Sequence, residues 1–543
     1  MNAFAATASR ARARRSPGVL LVLVCMAQLM VILDVSIVNV ALPSIKHGLS
    51  FSTTGLQWVV NAYTLTFAGF LLLGGRASDL LGRRSVFLGG TALFSLASLV
   101  CALADSSSML VAARALQGIG GAVISPASLA IITTSFHEPR ERNRALGIWG
   151  AMGGIGAALG ALLGGVLTQT LGWPAIFIVN VPIGLLVLAI GPALIPEGRS
   201  ELEHKHFDVL GASLVTGALT ALVYGIVRTD TLGWGAPGVV VPVLLGVVLL
   251  GLFVLVEGRF AKAPLVPLPI FRMPKLRAAN IVVFLLYGAV FSMWFFVSLY
   301  LQQVLHHDAL LTGLAFVPMT LAVVLATSFA ARLVARFSAR SVIAAGMLSA
   351  TVGLALLSGV RPGGSYVADV LPGGVLAALG LGLALVPATI VAVSGVQSSQ
   401  SGLASGLLNT SRLIGGALGL AVLSTIAASQ TRGDVHGGAT SLSALTSGFQ
   451  LAFAVSAAVS LLGAVVAVAM LRPTRESASG LDDVDELPVR QSVDGADGSP
   501  APARGRSLRG ARQRAGALRA RRRSGSCAQS TPVLVESRSQ SGD

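Results

Sequence analysis

Apolar residues along this chain are gathered into fourteen runs, separated mostly by short polar segments. A helix needs about 20 apolar residues to cross the hydrocarbon core of a bilayer. The pattern therefore predicts an all-α, polytopic membrane protein, because a spanning segment in lipid must satisfy its own backbone hydrogen bonds. The predicted spans are residues 18–42, 55–75, 85–104, 109–133, 145–168, 175–195, 209–227, 238–256, 279–301, 312–334, 341–360, 370–393, 403–428 and 448–471.

Composition supports this class. The 543 residues are 54% hydrophobic and 11% charged, whereas about a quarter of the residues in a soluble domain are charged. A net charge of +16 could indicate a nucleic-acid partner, but the cations lie mainly in loops between apolar runs and in the segment after residue 476. We therefore expect the lipid bilayer as a partner and no nucleic acid.

The distribution of Lys and Arg predicts the orientation in the membrane. These residues concentrate in the loops that follow the even-numbered spans and are sparse in the opposite loops. Cytoplasmic loops of membrane proteins carry this excess of positive charge. We expect a multi-pass protein of the bacterial cell membrane with both termini cytoplasmic.

Glycines recur in both the fifth and the thirteenth spans, which indicates a weak internal repeat of six helices, as transporters often show. The predicted organisation is a monomer with two related bundles and two inserted helices. Its parts are a basic N-terminus at 1–17, a six-helix bundle at 18–195, inserted helices with their loops at 196–278, a second bundle at 279–471 and a basic cytoplasmic tail at 472–543. The Ser, Gly, Ala, Pro and Arg of the tail predict disorder.

One acidic residue lies deep inside the first six spans. Asp34 is in the first span, and Arg114 begins the fourth. Ionisable residues at membrane depth are costly and usually functional. Both residues fall in the outer half of the bilayer, where they could meet across a cavity. The functional interpretation is a carboxylate that gains and loses a proton beside an arginine that responds to its charge, and the alternative is a static ion pair.

Polar and aromatic residues near the outer ends of the first two spans are candidates for a substrate pocket. Gln57 and Asn61 are four residues apart and therefore share one face of a helix. Asn39, Trp58 and Tyr63 complete the candidate set. Trp and Tyr also lie routinely at membrane interfaces, so an interfacial position is the alternative for these two.

The connection between the second and third spans is a ten-residue polar stretch, GRASDLLGRR, at residues 75–84. Its charge density beside hydrocarbon indicates a mechanical or gating part, and charge that only sets topology is the alternative. In the fifth span, glycines recur at spacings that let helices approach closely. They include Gly156, Gly160, Gly164 and Gly165. Rocking of this helix against a neighbour is the functional interpretation, and close packing alone is the alternative.

The sequence was also searched for motifs of nucleotide binding, catalysis and metal binding. We find no phosphate-binding G-x-x-x-x-G-K-[ST] motif, no nucleophile and base pair and no cluster with metal-ligand spacing. We therefore expect no enzyme activity, no cofactor and no metal.

Three sequence motifs occur in order along the first four spans. The pattern G-x-x-x-D-x-x-G-R-[RK] is matched by Gly75, Asp79, Gly82, Arg83 and Arg84. The first span contains LDVSIVNVALP, which begins at Leu33, and the pattern R-x-x-Q-G-x-G-G begins at Arg114 in the fourth. With these motifs, residues 18–471 resemble the major facilitator superfamily, in particular its fourteen-helix drug:proton antiporters.

The resemblance implies two six-helix bundles that move by alternating access. It implies that the 75–84 segment locks the outward-facing state through charge contacts on the cytoplasmic side. Two departures stand out. Ala161 replaces the proline of the fifth-helix antiporter motif, which weakens a kink and bears on the direction of transport, and residues 173–177 read WPAIF where the family has W-R-W-I-F.

The predicted function is a proton-coupled exporter of antibiotics or other drugs, with a hydrophobic, cationic or amphipathic small molecule leaving as a proton enters. Asp34 and Arg114 are the candidate proton-coupling residues. One alternative is uptake or facilitated transport of a metabolite by the same fold. The other, from a different class, is a membrane sensor that binds a ligand without moving it.

Overall fold

A computed structural model describes residues 17–471, apart from residues 53, 137, 198–207, 262–263, 267, 395 and 397–400. The side chains of residues 79, 139, 143, 230–231 and 401–402 also lie outside the description. The predicted basic N-terminus and the predicted disordered tail therefore fall outside the described residues, except for Pro17.

The described residues form fourteen long helices and no strand, and each helix is long and apolar enough to cross a membrane. This confirms the predicted class and the predicted number of spans. The helices are α1 Pro17–Gly48, α2 Trp58–Leu81, α3 Arg83–Ala102, α4 Ser107–Ser135, α5 Pro139–Leu171, α6 Ala175–Leu194, α7 Val209–Leu232, α8 Pro237–Leu255, α9 Pro274–Gln303, α10 Ala309–Arg336, α11 Ala339–Leu357, α12 Leu371–Val393, α13 Ser401–His436 and α14 Ser441–Met470.

Helix α6 consists of two helical segments, Ala175–Ile178 and Asn180–Leu194. Two π-helical turns adjoin other helices: Val256–Phe260 follows α8, and Tyr366–Val370 precedes α12. A 3₁₀ turn, Leu268–Arg272, precedes α9.

Several helices run further than the apolar pattern predicts. Helix α1 continues to Gly48 through Pro43, and α5 begins at Pro139. An apolar run marks the part of a helix that faces hydrocarbon, whereas its ends depend on capping and on backbone hydrogen bonds that persist in the interface. Proline is well suited to the first turn of α5, where its missing N–H needs no partner.

The connection between α2 and α3 is much shorter than the ten polar residues suggest. Residues 75–81 continue α2, residues 83–84 begin α3, and Gly82 alone lies between the two helices. No residue between Arg76 and Leu81 breaks a helix, so the polar stretch stays helical. Gly82 has a φ of 97°, a value that residues with a side chain rarely adopt.

Contacts between helices group them into two halves, α1–α6 and α9–α14. The halves meet along α5 and α10, along α2 and α13, and along α1 and α9. Helices α7 and α8 pack against each other, and α7 also contacts α2 and α13. The two inserted helices are therefore placed beside one of the seams that join the halves.

Candidate functional site

A buried carboxylate lies at the centre of the first half. Asp34 on α1 is 0% exposed. Its Oδ2 accepts a hydrogen bond from Nη1 of Arg114 at 2.5 Å. Its Oδ1 accepts from Nε2 of Gln117 at 2.6 Å and from Nδ2 of Asn180 at 3.0 Å. Side chains of α4 and α6 therefore hold the carboxylate of α1 in place.

The arginine that faces it is equally buried. Arg114 on α4 is 1% exposed, and its Nε donates to the carbonyl of Val59 on α2 at 2.9 Å. Its Nη1 also donates to Oε1 of Gln117 at 2.6 Å. The guanidinium carbon lies 4.4 Å from the ring centroid of Tyr63 and 5.8 Å from that of Phe177. A guanidinium over an aromatic face is stabilised by the ring's quadrupole, more so where water is excluded.

Neutral polar groups complete the network. Gln117 Nε2 also donates to Oγ of Ser98 on α3 at 2.8 Å. The Asn180 amide lies 3.4 Å from the same hydroxyl, and the Cys101 thiol lies 3.7 Å from Oε1 of Gln117. Five of the first six helices thus contribute to one polar cluster, which we call the Asp34 network: Asp34, Val59, Tyr63, Ser98, Cys101, Arg114, Gln117, Phe177 and Asn180.

The charges in this network compensate each other. A single charge moved into the membrane interior is expensive, whereas a paired and hydrogen-bonded one is tolerated. Adding a proton to Asp34 would neutralise the anion and leave the Arg114 guanidinium without its counter-charge. The ion pair therefore joins α1 to α4 inside the first half.

Sequence reasoning predicted Asp34 and Arg114 but left out Ser98, Phe177 and Asn180 and did not assign a role to Gln117. One signal was available for Gln117, because it follows Arg114 by three residues and so lies on the same helix face. Asn180 is the only amide side chain within α6. A search for lone amides in apolar runs would have found it.

The predicted substrate pocket does not form as one unit. Gln57 and Asn61 are both fully buried and lie together, with Asn61 Nδ2 3.5 Å from Oε1 of Gln57. Trp58 faces Tyr224 of α7, with ring centroids 6.4 Å apart. Tyr63 belongs to the Asp34 network instead. Four of the five candidates thus face three different sets of partners. Gln57 and Asn61 face each other, Trp58 faces α7, and Tyr63 faces Arg114.

Asn39, the remaining candidate, lies where the two halves meet. Its side chain donates to the Val35 carbonyl in its own helix at 3.2 Å. Its backbone carbonyl accepts from Oγ of Ser298 on α9 at 2.5 Å, and the next carbonyl, that of Val40, accepts from Gln302 at 2.9 Å. Both hydrogen bonds lie towards the ends of α1 and α9 that are distant from the α2–α3 turn.

The glycines of α5 form a contact surface for α1. A Cβ added at Gly156 would meet Ile32 at 2.9 Å, and one added at Gly164 would meet the Ile37 carbonyl at 2.8 Å. At Gly160 an added Cβ would clash with the Ser36 hydroxyl. The absence of side chains at these three positions lets α1 and α5 pack closely.

The same helix also contacts the second half. A Cβ at Gly165 would lie 2.7 Å from the Ala309 carbonyl of α10, and one at Gly313 of α10 would lie 2.5 Å from the Ala161 carbonyl. Ala161, which stands where the antiporter motif has proline, is thus a buried backbone contact with α10. Helix α5 joins the α1 surface to the other half.

In the 75–84 segment, Arg84 forms an ion pair. Nη1 of Arg84 lies 2.6 Å from Oε1 of Glu197, whose side chain is 83% exposed. Exposed pairs of this kind contribute about 0–1 kcal/mol. Arg83 Nε is buried without a hydrogen-bond partner among the described atoms, and Gly75 faces Pro126. The Asp79 side chain lies outside the description, so the proposed lock stays a prediction.

Metal chemistry finds no support in the described part of the chain, where no three His, Cys, Asp or Glu side chains cluster in a way that could hold an ion. The two described cysteines, Cys25 and Cys101, are buried and free.

Fourteen spanning helices, grouped in two halves with a compensated charge network in the first, define the class of this protein as a multi-pass membrane transporter. Residues 24–420 match the model of the Major Facilitator Superfamily. The chain belongs to this superfamily, whose members are transporters and not enzymes, and it is a multi-pass protein of the cell membrane.

Relatives that share much of the sequence carry names of antibiotic export or resistance. The chain is 44% identical to the cephamycin export protein CmcT of Amycolatopsis lactamdurans over 421 residues, which cover 76% of this chain and 86% of the relative. It is 39% identical to the puromycin resistance protein pur8 of Streptomyces alboniger over 477 residues, covering 87% and 94%. A tetracenomycin C resistance and export protein of Streptomyces glaucescens is 34% identical, with coverage of 78% of both chains.

Solved structures share the fold at low sequence identity. A bacterial homolog of the human lysosomal transporter Spinster, in an inward-facing and unoccupied conformation, is 18% identical with a TM-score of 0.58, covering 83% of this chain and 97% of that one. The POT family transporter PepTSo is 15% identical with a TM-score of 0.60, covering 82% and 98%.

Proposed function

We propose that this chain exports small amphipathic antibiotics in exchange for protons by alternating access of its two halves. The relatives support export of antibiotics, since three of them are named for antibiotic export or resistance. The Asp34 network supports coupling to protons, because it places one titratable carboxylate in an apolar interior.

The proposal is carried by the contacts that residues 34–40 of α1 make one after another. Asp34 binds Arg114 of the same half. Two residues later Ser36 packs on Gly160 of α5 and donates to the Gly156 carbonyl at 3.2 Å. Asn39 and Val40 then accept hydrogen bonds from α9 in the other half. Less than two helical turns therefore connect the carboxylate to the seam between the halves.

Protonation would act through this stretch of α1. A neutral Asp34 attracts Arg114 less strongly, so α1 is held less firmly against α4 and α6. A shift of α1 reaches α9 through Asn39 and reaches α10 through α5. The carboxylate is fully buried, so a helix movement that opens it to water would give protons access to it, and in this proposal that links proton movement to a change of conformation.

Asp34→Asn tests the coupling. The amide keeps the shape of the carboxyl group and cannot take up a proton to change its charge. In proteoliposomes with an imposed pH gradient, we expect this variant to lose gradient-driven accumulation of an exported antibiotic while still exchanging it by counterflow. Asp308→Asn is the matched control, because Asp308 caps α10 in an exposed loop and asparagine caps helices equally well.

Wild-type rates for Asp34→Asn under the gradient would remove Asp34 from the coupling. Export itself is tested separately, with a susceptibility panel in a pump-deficient bacterial host, with and without a protonophore. We expect raised resistance that the protonophore removes. Uptake in place of export would lower resistance, and a sensor that only binds its ligand would change nothing in the panel.

A further inference from the structure

Among the described side chains, a third charge lies deep in the spans, and none of those side chains pairs with it as a counter-ion. Among the described residues, three charged side chains lie more than five residues from either end of a span: Asp34, Arg114 and Arg412. The first two pair with each other. Arg412 makes no ion pair or hydrogen bond with any described residue, and its buried Nε has no acceptor there.

Arg412 lies on α13 against an aromatic ring of α9. Its guanidinium carbon is 5.3 Å from the ring centroid of Tyr287, and both side chains are half-buried. The Tyr287 hydroxyl likewise makes no hydrogen bond within the described part of the chain. Each residue thus presents unused donors, and neither is sealed from its surroundings.

The backbone holds this pair in a fixed place. Three residues after Arg412, Gly415 packs on the backbone of Phe284, and Gly419 packs on that of Gly288. Ser411, the residue before Arg412, donates to Asn280 of α9 at 2.7 Å. Close packing on both sides of the pair fixes the distance between α9 and α13.

The pair also borders the first half. Leu413 follows Arg412 and packs against the apolar cluster that includes Tyr63 and Phe67 of α2. A Cβ at Gly406, nearer the N-terminus of α13, would lie 2.6 Å from Leu72 of α2. Arg412 therefore lies beside the seam between α13 and α2, where a separation of the halves would open a path to it.

The positive charge of Arg412 determines which charge a bound molecule should carry. Arg412 lies nine residues from the start of its span, roughly 14 Å along the axis of a helix with a rise of 1.5 Å per residue. A cation there is costly unless it is hydrated or paired. A bound anion would compensate it, and guanidinium groups bind carboxylates through short, charge-assisted hydrogen bonds. A bound cation would add to the positive charge.

We infer that Arg412 and Tyr287 form the binding site for a carboxylate of the exported molecule, so that the substrates are amphipathic organic anions. This inference rests on the proposed export function and narrows its substrate class. It narrows the sequence-based expectation of a hydrophobic, cationic or amphipathic molecule to an amphipathic anion, because Asp34, which could have attracted a cation, already binds Arg114. Arg412 binds the acidic group, and Tyr287 donates its hydroxyl to the same group.

The susceptibility panel tests the site when its compounds are grouped as carboxylic acids, neutral molecules and amines. We expect the wild-type chain to export acids. Arg412→Gln should lower the efflux rate of acids from loaded cells by about tenfold and leave the efflux of neutral compounds near the wild-type rate. Arg412→Lys, which keeps the charge, should restore part of the loss, and Tyr287→Phe should show a smaller loss confined to acids.

Arg332→Gln is the matched control. Arg332 also stacks on an aromatic ring, that of Phe329 in the same half, but its side chain is exposed. This variant should export all three groups at wild-type rates.

The outcomes separate the two proposals. If the wild-type chain exports nothing in the panel, the proposed function fails. If it exports only amines or neutral compounds, export stands and the carboxylate site is overturned. The site is also overturned if Arg412→Gln leaves acid efflux unchanged, or if it lowers the efflux of all three groups alike, which would make Arg412 a structural residue.

Discussion

At the scale of single residues, the charges were the part of the site that sequence could predict. An ionisable residue in an apolar run stands out, so Asp34 and Arg114 were found and the structure brings them together. Arg412 also lies deep in its span, but the sequence analysis did not single it out. Neutral polar residues are common in membrane helices, and which of them face a neighbour depends on the rotation of each helix. Ser98 and Asn180 were therefore missed.

The same rotation explains why the predicted pocket separates. Trp58 and Tyr63 are five residues apart on α2, and each residue turns the helix by about 100°. They therefore face different neighbours, α7 for Trp58 and Arg114 for Tyr63. Nearness along a helix does not place two side chains in one cavity.

Replacing Arg114 should show how far the network depends on the shape of its side chain. Arg114→Ala leaves the Asp34 carboxylate buried without its cation, and we expect a loss of about 3–5 kcal/mol in the free energy of unfolding. Arg114→Lys should fall between this variant and the wild type, since one ammonium cannot reproduce the fork that contacts Asp34, Gln117 and Val59.

The measurement is the thermal unfolding midpoint of the purified protein in detergent. Arg332→Ala, at an exposed arginine, should unfold at the wild-type temperature. An Arg114→Ala variant as stable as the wild type would mean that water or a rearranged neighbour compensates Asp34, and the network would then not be the rigid unit described above.

At the scale of helices, the number and order of the spans could be predicted because hydrocarbon imposes a fixed length on each. Helix ends could not, as α1 and α5 show. The α2–α3 turn shows the same limit: polar residues at 76–81 suggest a loop, but they remain helical until Gly82. Polarity reports the solvent around a segment and not its backbone conformation.

The glycine surface of α5 can be tested within one helix. At Gly160 an added methyl group would clash with Ser36 of α1, whereas at Gly147 it would meet no atom within 4 Å. We expect Gly160→Ala to lower both the unfolding midpoint and the export rate. Gly147→Ala should leave export unchanged and could raise helix stability by up to about 1 kcal/mol.

Export assays in the same host strain and unfolding of the purified variants supply the comparison. Equal behaviour of the two alanine variants would show that α1 moves away from α5 without cost, and the glycines would then not determine how these helices pack.

At the scale of the whole molecule, helix contacts form two groups, α1–α6 and α9–α14, and the repeat expected from the fifth and thirteenth spans stays a prediction. The seam contacts could not be predicted, because hydrogen bonds such as Ser298 to Asn39 join residues 259 positions apart. A single sequence carries no local pattern that relates residues so distant.

Cross-linking α1 to α9 tests whether this seam must open. In a chain whose Cys25 and Cys527 are replaced by serine, and whose buried Cys101 is kept as part of the Asp34 network, the pair Asn39→Cys and Ser298→Cys places two thiols at the seam. Oxidation of the pair should stop export, because the halves can no longer separate there, and a reducing agent should restore it.

Either single cysteine variant, oxidised in the same way, should keep its export rate. Full export by a chain shown on gels to be cross-linked would mean that this seam stays closed through the transport cycle, and the halves would have to move elsewhere.

Helix α7 touches α2 in one half and α13 in the other, so in the proposed alternating-access cycle it could not keep both contacts unchanged. Thr216 of α7 fills the space beside Gly69 of α2, whereas on the α13 side Thr425 reaches the Ile226 carbonyl at 3.4 Å. We expect the contact between α7 and α2 to persist, because Thr216 interlocks with Gly69 there. Helices α7 and α8 would then move together with the first half. Each turnover then displaces surrounding acyl chains, and the thickness and stiffness of the bilayer enter the energy of the cycle.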